Sequence, residues 1–432
     1  VFGNCTGLTS ATVEGKPVEK MFAGCTSLTT VEFKTNFKDL AAYAFEGCTS
    51  LESVTLPTQL ESIGNYAFSK SGLKTVEMPK TLVTIGEYAF YGCENLVSAT
   101  FAADAALTAI RDYAFLDCAK LSAFDVKNLQ NLATIGKGAF AKTGFETFVF
   151  SDSIVTLGYA ESLFEDSVKL KTVYLPANVN YIPQKAFAGC TALTKVVYNG
   201  YTGDKTFALP QTTTFVAEYA FSNTGLVYAD ISNIASEGFG NGLFKDCFAL
   251  TQVVLNNELT KISNEAFDGC ALLTDVKLPD ALTEIGEAAF RSTGLTTINV
   301  AETIKTIDKY AFANTAIAKV QFPDAIRKIG YGAFANTAIT SLDLSALDMT
   351  AVAESSFADC AMLNQVILSD VWTAIPADFF KGCSALSSVV LPSALTEIGD
   401  NAFLGCSALS SVTIDCAGLT VIGQKAFLGT AV

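Results

Sequence analysis

Leu51-Glu52-Ser53-Val54-Thr55-Leu56-Pro57-Thr58-Gln59-Leu60-Glu61-Ser62-Ile63-Gly64-Asn65-Tyr66-Ala67-Phe68, with Leu73 opening the next unit, contains the plan of the whole chain. Val54-Thr55-Leu56 alternates apolar and polar residues, which marks a short strand with one buried face. Pro57 cannot donate to a ladder and so ends the strand. Leu60, Ile63, Ala67 and Phe68 then supply further apolar positions within the same unit.

Working outward, the Phe recurs at 22, 45, 68, 90, 115, 140, 164, 187, 221, 244, 267, 290, 312, 334, 357, 380, 403 and 427, with Phe2 an earlier member. The spacing lies within the roughly 20–29 residues of leucine-rich repeats. Proline returns in the Pro57 register at 79, 176, 279, 323 and 392, and Ile-Gly precedes Ala-Phe at 85–86, 135–136, 285–286, 329–330, 398–399 and 422–423. Pro183 and Pro376 replace that glycine in two repeats, so the position does not require positive φ and suits the first turn of a helix. Two residues after the Phe stands Gly47, Gly92, Asn223, Asp117 or an equivalent, residues that tolerate the left-handed region and end a helix.

Each unit therefore reads as strand, turn, helical turn and stop. One unit cannot bury its apolar side alone, whereas stacking joins the Leu, Val, Ile and Phe positions into continuous columns. The fold class that follows is an α/β repeat: a right-handed solenoid with a parallel sheet along one face and short helical turns on the other. We expect residues 1–432 to form one such array of about nineteen repeats, irregular near 199–215. Both ends fall inside repeats, which implies a fragment of a longer protein or caps of unfamiliar sequence, and any leader would lie outside the chain.

These residues resemble the BspA-like, or Treponema pallidum-type, leucine-rich repeat family, whose pattern Leu-x-x-Val-x-Leu-Pro-x-x-Leu-x-x-Ile-Gly-x-x-Ala-Phe-x-Gly-Cys-x-x-Leu runs through nearly the whole chain. The resemblance implies an extracellular or cell-surface protein of a host-associated microbe, with adhesion to host matrix proteins or other cells as the activity. It transfers no functional residues, because the motif is structural.

Composition narrows the function classes. Half of the 432 residues are hydrophobic and 16% are charged, enough for a large core. The net charge of −15, without basic clusters, disfavours nucleic acid and anionic membranes. No stretch approaches the roughly 20 apolar residues of a transmembrane helix. Histidine is absent, which removes Ser-His-Asp and Cys-His nucleophiles and HExxH sites together. Paired carboxylates could still hydrolyse glycosides, but they need a walled pocket to separate their pKa values. No enzyme, cofactor or catalytic residue is therefore expected.

The chain has twelve cysteines, which could mean disulfides or a metal site. Eleven of them stand three residues after the repeat Phe, where other repeats carry Ser71, Thr143, Ser167, Thr224, Thr293, Thr315, Thr337 or Thr430. A position that accepts Cys, Ser or Thr selects a small side chain that can hydrogen-bond locally, so packing is favoured over cross-linking. Metal is disfavoured by the lack of Cys-x-x-Cys and of histidine. Cys416 lies outside the register and reads as a strand-edge residue.

Candidate binding residues come from deviations at the middle of each strand triplet, which should face outward. Most of these residues are polar. Val149, Tyr174 and Val197 are apolar on consecutive rungs, giving an expected exposed stripe. It is followed by the 34-residue interval between Phe187 and Phe221, with Tyr201, Phe207 and Pro210 in the extra segment. Insertions in repeat arrays form loops that often bind; the same segment reads equally well as an irregular repeat covering Val197 and Tyr198. Ile367 and Val390 are a second candidate pair, and Trp372 reads as core. The functional expectation is adhesion or recognition of a protein or glycan partner, with a passive surface spacer as the alternative.

Overall fold

A computed structural model describes residues 1–102, 104–414 and 417–432. The chain forms two compact units, 1–226 and 227–432. Each is built from coils of the repeat, and every strand pairing in both is parallel.

A coil has three sides. The first is the strand read from the sequence. Thr75–Met78 pairs with Ser98–Phe101, placing Val76 against Ala99 inside and Glu77 against Thr100 outside. The second is a two-residue strand that includes the Ile of Ile-Gly. In the first unit Asp39–Leu40, Ser62–Ile63, Thr84–Ile85, Ala109–Ile110 and Thr134–Ile135 make one five-stranded ladder. In the second unit Lys261–Ile262, Glu284–Ile285, Thr306–Ile307 and Lys328–Ile329 make a four-stranded one. β-branched Ile suits a pleated, half-buried edge, and these side chains are buried.

The third side carries Ala-Phe, and here the expectation of helical turns is corrected. The only helical segments among the described residues are two short 3-10 pieces, Ser236–Gly238 and Met349–Ala351. Around Phe68 the amides alternate in use. Those of Ala67, Ser69 and Ser71 bond within the coil to Gly64, Tyr66 and Phe68. Those of Tyr66, Phe68 and Lys70 donate to Glu87, Ala89 and Tyr91 of the next coil at 2.9, 2.8 and 2.6 Å. An α-helix would need all of them for its own carbonyls four residues back.

The backbone achieves this alternation by going left-handed twice. Tyr66 has φ 57° and Lys70 has φ 55°, on either side of the Phe, and the pattern repeats along the chain. The Gly, Asn and Asp positions after the Phe are left-handed as expected, but they close a tight turn and not a helix. Gly64 has ordinary φ, and its constraint is proximity: a Cβ there would sit 2.6 Å from the Leu40 oxygen and 2.7 Å from the Ala42 nitrogen.

This stacking aligns the Phe rings. From Phe2 to Phe221 successive centroids lie 5.0–5.8 Å apart with planes within 18°. From Phe244 to Phe357 the spacing is 5.3–5.9 Å, and from Phe380 to Phe427 it is 5.2–5.7 Å. Phe379 packs edge-on against both Phe357 and Phe380. Each buried ring contributes roughly 1.5–3 kcal/mol by area. Trp372 is core too, fully buried and donating from Nε1 to the Leu347 oxygen at 2.7 Å.

The cysteines are packing residues. The eleven described cysteines form no disulfide with one another, and all but Cys5 are buried; Cys416 lies outside the described residues. Coils with four residues from this position to the next Leu, such as Cys48-Thr49-Ser50-Leu51, point the Sγ back to the preceding Phe carbonyl. Cys48 reaches Phe22, Cys93 reaches Phe68 and Cys190 reaches Phe164, at 3.0–3.2 Å. Ser167, in a four-residue corner, does the same to Phe140 at 3.0 Å. In three-residue corners such as Thr293-Gly294-Leu295 the Thr hydroxyl bonds its own Phe, here Phe290 at 2.8 Å. Side-chain identity thus follows the length of the corner. Burial pushes the Cys48 thiol up to about 12 and the Cys93 thiol to about 11.

Candidate functional site

The strands Thr147–Val149, Thr172–Leu175 and Lys195–Tyr198 form a three-stranded parallel sheet. Its register sets Val149 opposite Tyr174 and Tyr174 opposite Val197, so the three residues share one row. Phe148, Val173 and Val196 alternate inward and are buried. Val149 and Tyr174 are half-buried.

Val197 departs from the expected exposed stripe: it is 1% exposed. The segment after it is laid directly against it. The Val196 amide donates to Thr206 at 2.8 Å, and the Ala208 amide donates to Val196 at 2.9 Å. Phe207 is fully buried, with its ring edge-on to Phe221 at 5.3 Å. Further along, Thr213 is buried with its hydroxyl on the Val179 oxygen, and Phe215–Val216 pairs with Tyr181–Ile182. The long interval is therefore one enlarged coil that occupies the usual strand positions. Val197 and Phe207 are corrected from surface contacts to core residues, because the chain after Val197 folds back and bonds to Val196 through residues 206–208.

What protrudes is the short excursion 199–206. Its tip from Gly200 to Thr206 is exposed except for the half-buried Tyr201. The Tyr201 ring meets Tyr198 at 5.4 Å, and its hydroxyl accepts from the Lys205 amide at 3.3 Å. The base is anchored by Asn199, whose Nδ2 donates to the Phe150 oxygen at 2.9 Å and to Asp152 Oδ1 at 3.0 Å. Beside the row, Lys195 Nζ lies 5.8 Å from the Tyr174 ring centroid. Lys171 hydrogen-bonds Glu146 at 2.9 Å and holds that carboxylate below its usual range. Val149, Tyr174 and Tyr201 thus remain available at the surface, with a cation beside the central ring.

The second pair, Ile367 and Val390, is exposed at 47% and 64%. Sequence reasoning missed a tyrosine ladder in the left-handed position before the Phe. Tyr43, Tyr66, Tyr88 and Tyr113 stack at 4.8–4.9 Å, with Lys20 Nζ 4.9 Å from the Tyr43 ring. The signal was there in the recurrence of Tyr two residues before Phe. The stacked rings cover one another's faces and offer only edges.

Among the described residues, no helix is long and apolar enough to cross a membrane. Comparison with known proteins places the repeat. The chain matches the BspA type leucine rich repeat region in six copies, with matched segments 16–131, 108–236, 198–318, 237–360 and 305–432. A leucine-rich repeat protein from Bacteroides ovatus is 22% identical, with TM-score 0.55, covering 82% of this chain and 84% of that one. The T. pallidum leucine rich repeat protein is 22% identical with TM-score 0.33, covering 46% and 78%. The first shares the architecture. No curated protein matches the chain.

Proposed function

Because the chain belongs to the BspA-type leucine-rich repeat family, we propose that it is a recognition protein of the cell surface or extracellular space that holds a protein or glycan partner and performs no catalysis. The observation that carries this reading is the in-register pair Val149 and Tyr174, left at the surface beside the Tyr201 excursion. Tyrosine gives large contact area at low entropic cost and keeps a polar handle, which suits interfaces. Repeat folds of this kind are typically binding scaffolds, and no enzyme family is indicated.

The test is capture of immobilised fibronectin, laminin, collagen and arrayed glycans by the purified chain and by its Y174S/Y201S variant. The reading expects at least one partner, at least tenfold weaker capture by the variant, and unchanged circular dichroism. Equal capture by the two proteins would remove this site. The spacer alternative draws on the polar residues at most outward strand positions, such as Glu32, Thr55, Glu77 and Thr100; it expects no capture at all.

A further inference from the structure

In the second unit the outward strand row reads Lys277, Asn299, Gln321, Asp343, the only place where two carboxamides follow on successive coils. These coils are stacked in step: the Ala318 amide donates to Thr296 and the Thr340 amide to Ala318, at 3.2 and 3.1 Å. Beyond those bonds the strand ladder is open. Among the described residues, the main chains of 297–300 and 319–322 make no hydrogen bond within the protein, and neither segment forms a regular strand. A groove of about 670 Å³ lies there, with Asn299, Glu302, Lys319, Gln321, Phe322 and Asp343 among the residues that line it.

The polar groups of this groove are unspent. Among the described residues, Asn299, Gln321 and Lys319 make no side-chain hydrogen bond or ion pair, whereas most other lysines are paired. Asp343 is fixed through one oxygen, which accepts from the Ser345 amide at 3.0 Å and from its hydroxyl at 2.6 Å. That leaves Oδ2 free to accept from a ligand. Phe322 is half-buried and held edge-on by Phe334 at 5.5 Å and Phe357 at 6.2 Å.

We propose that this groove binds a neutral β-1,4-linked glycan lying across the coils. Planar carboxamides and a carboxylate can each engage neighbouring hydroxyls as donor and acceptor. Peptide groups of 297–300 and 319–322, unbonded within the described protein, add further partners for hydroxyls, and the half-buried Phe322 offers an apolar patch to a pyranose. Glu302 and Asp343 outnumber Lys319 by one charge, which disfavours anionic glycans and leaves recognition of a neutral chain to hydrogen bonds. An extended β-1,4 chain advances by close to one rung spacing per sugar, about 4.8 Å, so Asn299, Gln321 and Asp343 would meet successive sugars. The proposal rests on the reading of the chain as a recognition scaffold, but it concerns a site apart from Tyr174.

The experiment is calorimetric titration with cellohexaose, mannohexaose, xylohexaose and chitohexaose, with α-linked maltohexaose and an extended Gly-Ser dodecapeptide as controls. We expect millimolar or tighter binding of at least one β-linked hexaose, maltohexaose at least fivefold weaker, and at least a tenfold loss in N299A/Q321A with its unfolding midpoint unchanged. The Y174S/Y201S variant should bind the hexaose normally. Absence of binding by all four β-linked hexaoses, undiminished binding by N299A/Q321A, or preference for the peptide would overturn the groove assignment. A Y174S/Y201S defect in partner capture with no hexaose binding would sink this inference alone and leave the recognition reading standing.

Discussion

Replacing Phe290 by alanine tests the stacked column where it is most regular. The ring is fully buried and lies 5.3 Å from Phe267 and 5.5 Å from Phe312, with interplanar angles of 14° and 2°. Area alone assigns roughly 1.5–3 kcal/mol to the side chain, and each offset stack adds about 0.5–1.5 kcal/mol. A Phe-to-Ala cavity in a packed core costs roughly 3–5 kcal/mol. With two stacked neighbours and a rigid hydrogen-bonded turn on each side, F290A should fall in the upper half, about 4–5 kcal/mol. F290L keeps most of the volume and should lose about 1.5 kcal/mol. Urea unfolding followed by circular dichroism measures both. Hydrogen exchange adds a spatial check, because repeat coils couple chiefly to their neighbours: protection should fall most in the coils of Phe267 and Phe312. A loss below about 1 kcal/mol for F290A, or a uniform rise in exchange over the second unit, would refute the reasoning that the column is a shared core.

Two further outcomes follow from the same packing. In a C416S background at pH 8, Ellman's reagent should label the exposed Cys5 quickly and the ten buried thiols only at the rate of unfolding, since burial suppresses the reactive thiolate; fast labelling of most thiols in the folded chain would contradict their placement. Asp308 tests linkage: burial alone would raise its carboxyl, but hydrogen bonds from Lys328 and the Lys309 amide, both 2.8 Å, hold it below the ordinary value. A depressed carboxylate stabilises above its unfolded pKa and loses that contribution as pH falls through its folded one. D308N should therefore lower the urea midpoint at pH 7 and leave it nearly unchanged at pH 2, and an equal shift at both would discard the assignment.

The Phe, Leu and strand positions were legible in the sequence because burial repeats them in every coil. The small-residue register after the Phe was legible too, since Cys, Ser and Thr share one local hydrogen-bonding task. The turn geometry was not. Its first left-handed residue is Tyr66, Lys185, Glu265 or Ala288, side chains that carry no signal for positive φ, and the ladder bonds that force it come from a neighbouring coil. Val197 was misplaced for a related reason: its pattern says outward, while its cover is chain ten residues further on. Val149 and Tyr174 were read as surface residues and are half-buried there, because ordinary repeat turns follow their strands and not a returning excursion.

The corner after each Phe has a genetic consequence. Deleting one residue from a Cys-type corner strands a thiol that can no longer reach the coil behind it, while a threonine in its place can turn to the carbonyl of its own coil, as Thr293 does. We expect a codon lost there to cost less when the Cys changes to Thr with it, since the hydroxyl then has an acceptor in its own coil. The array can therefore drift between 22- and 23-residue periods, provided the two changes are inherited as a pair.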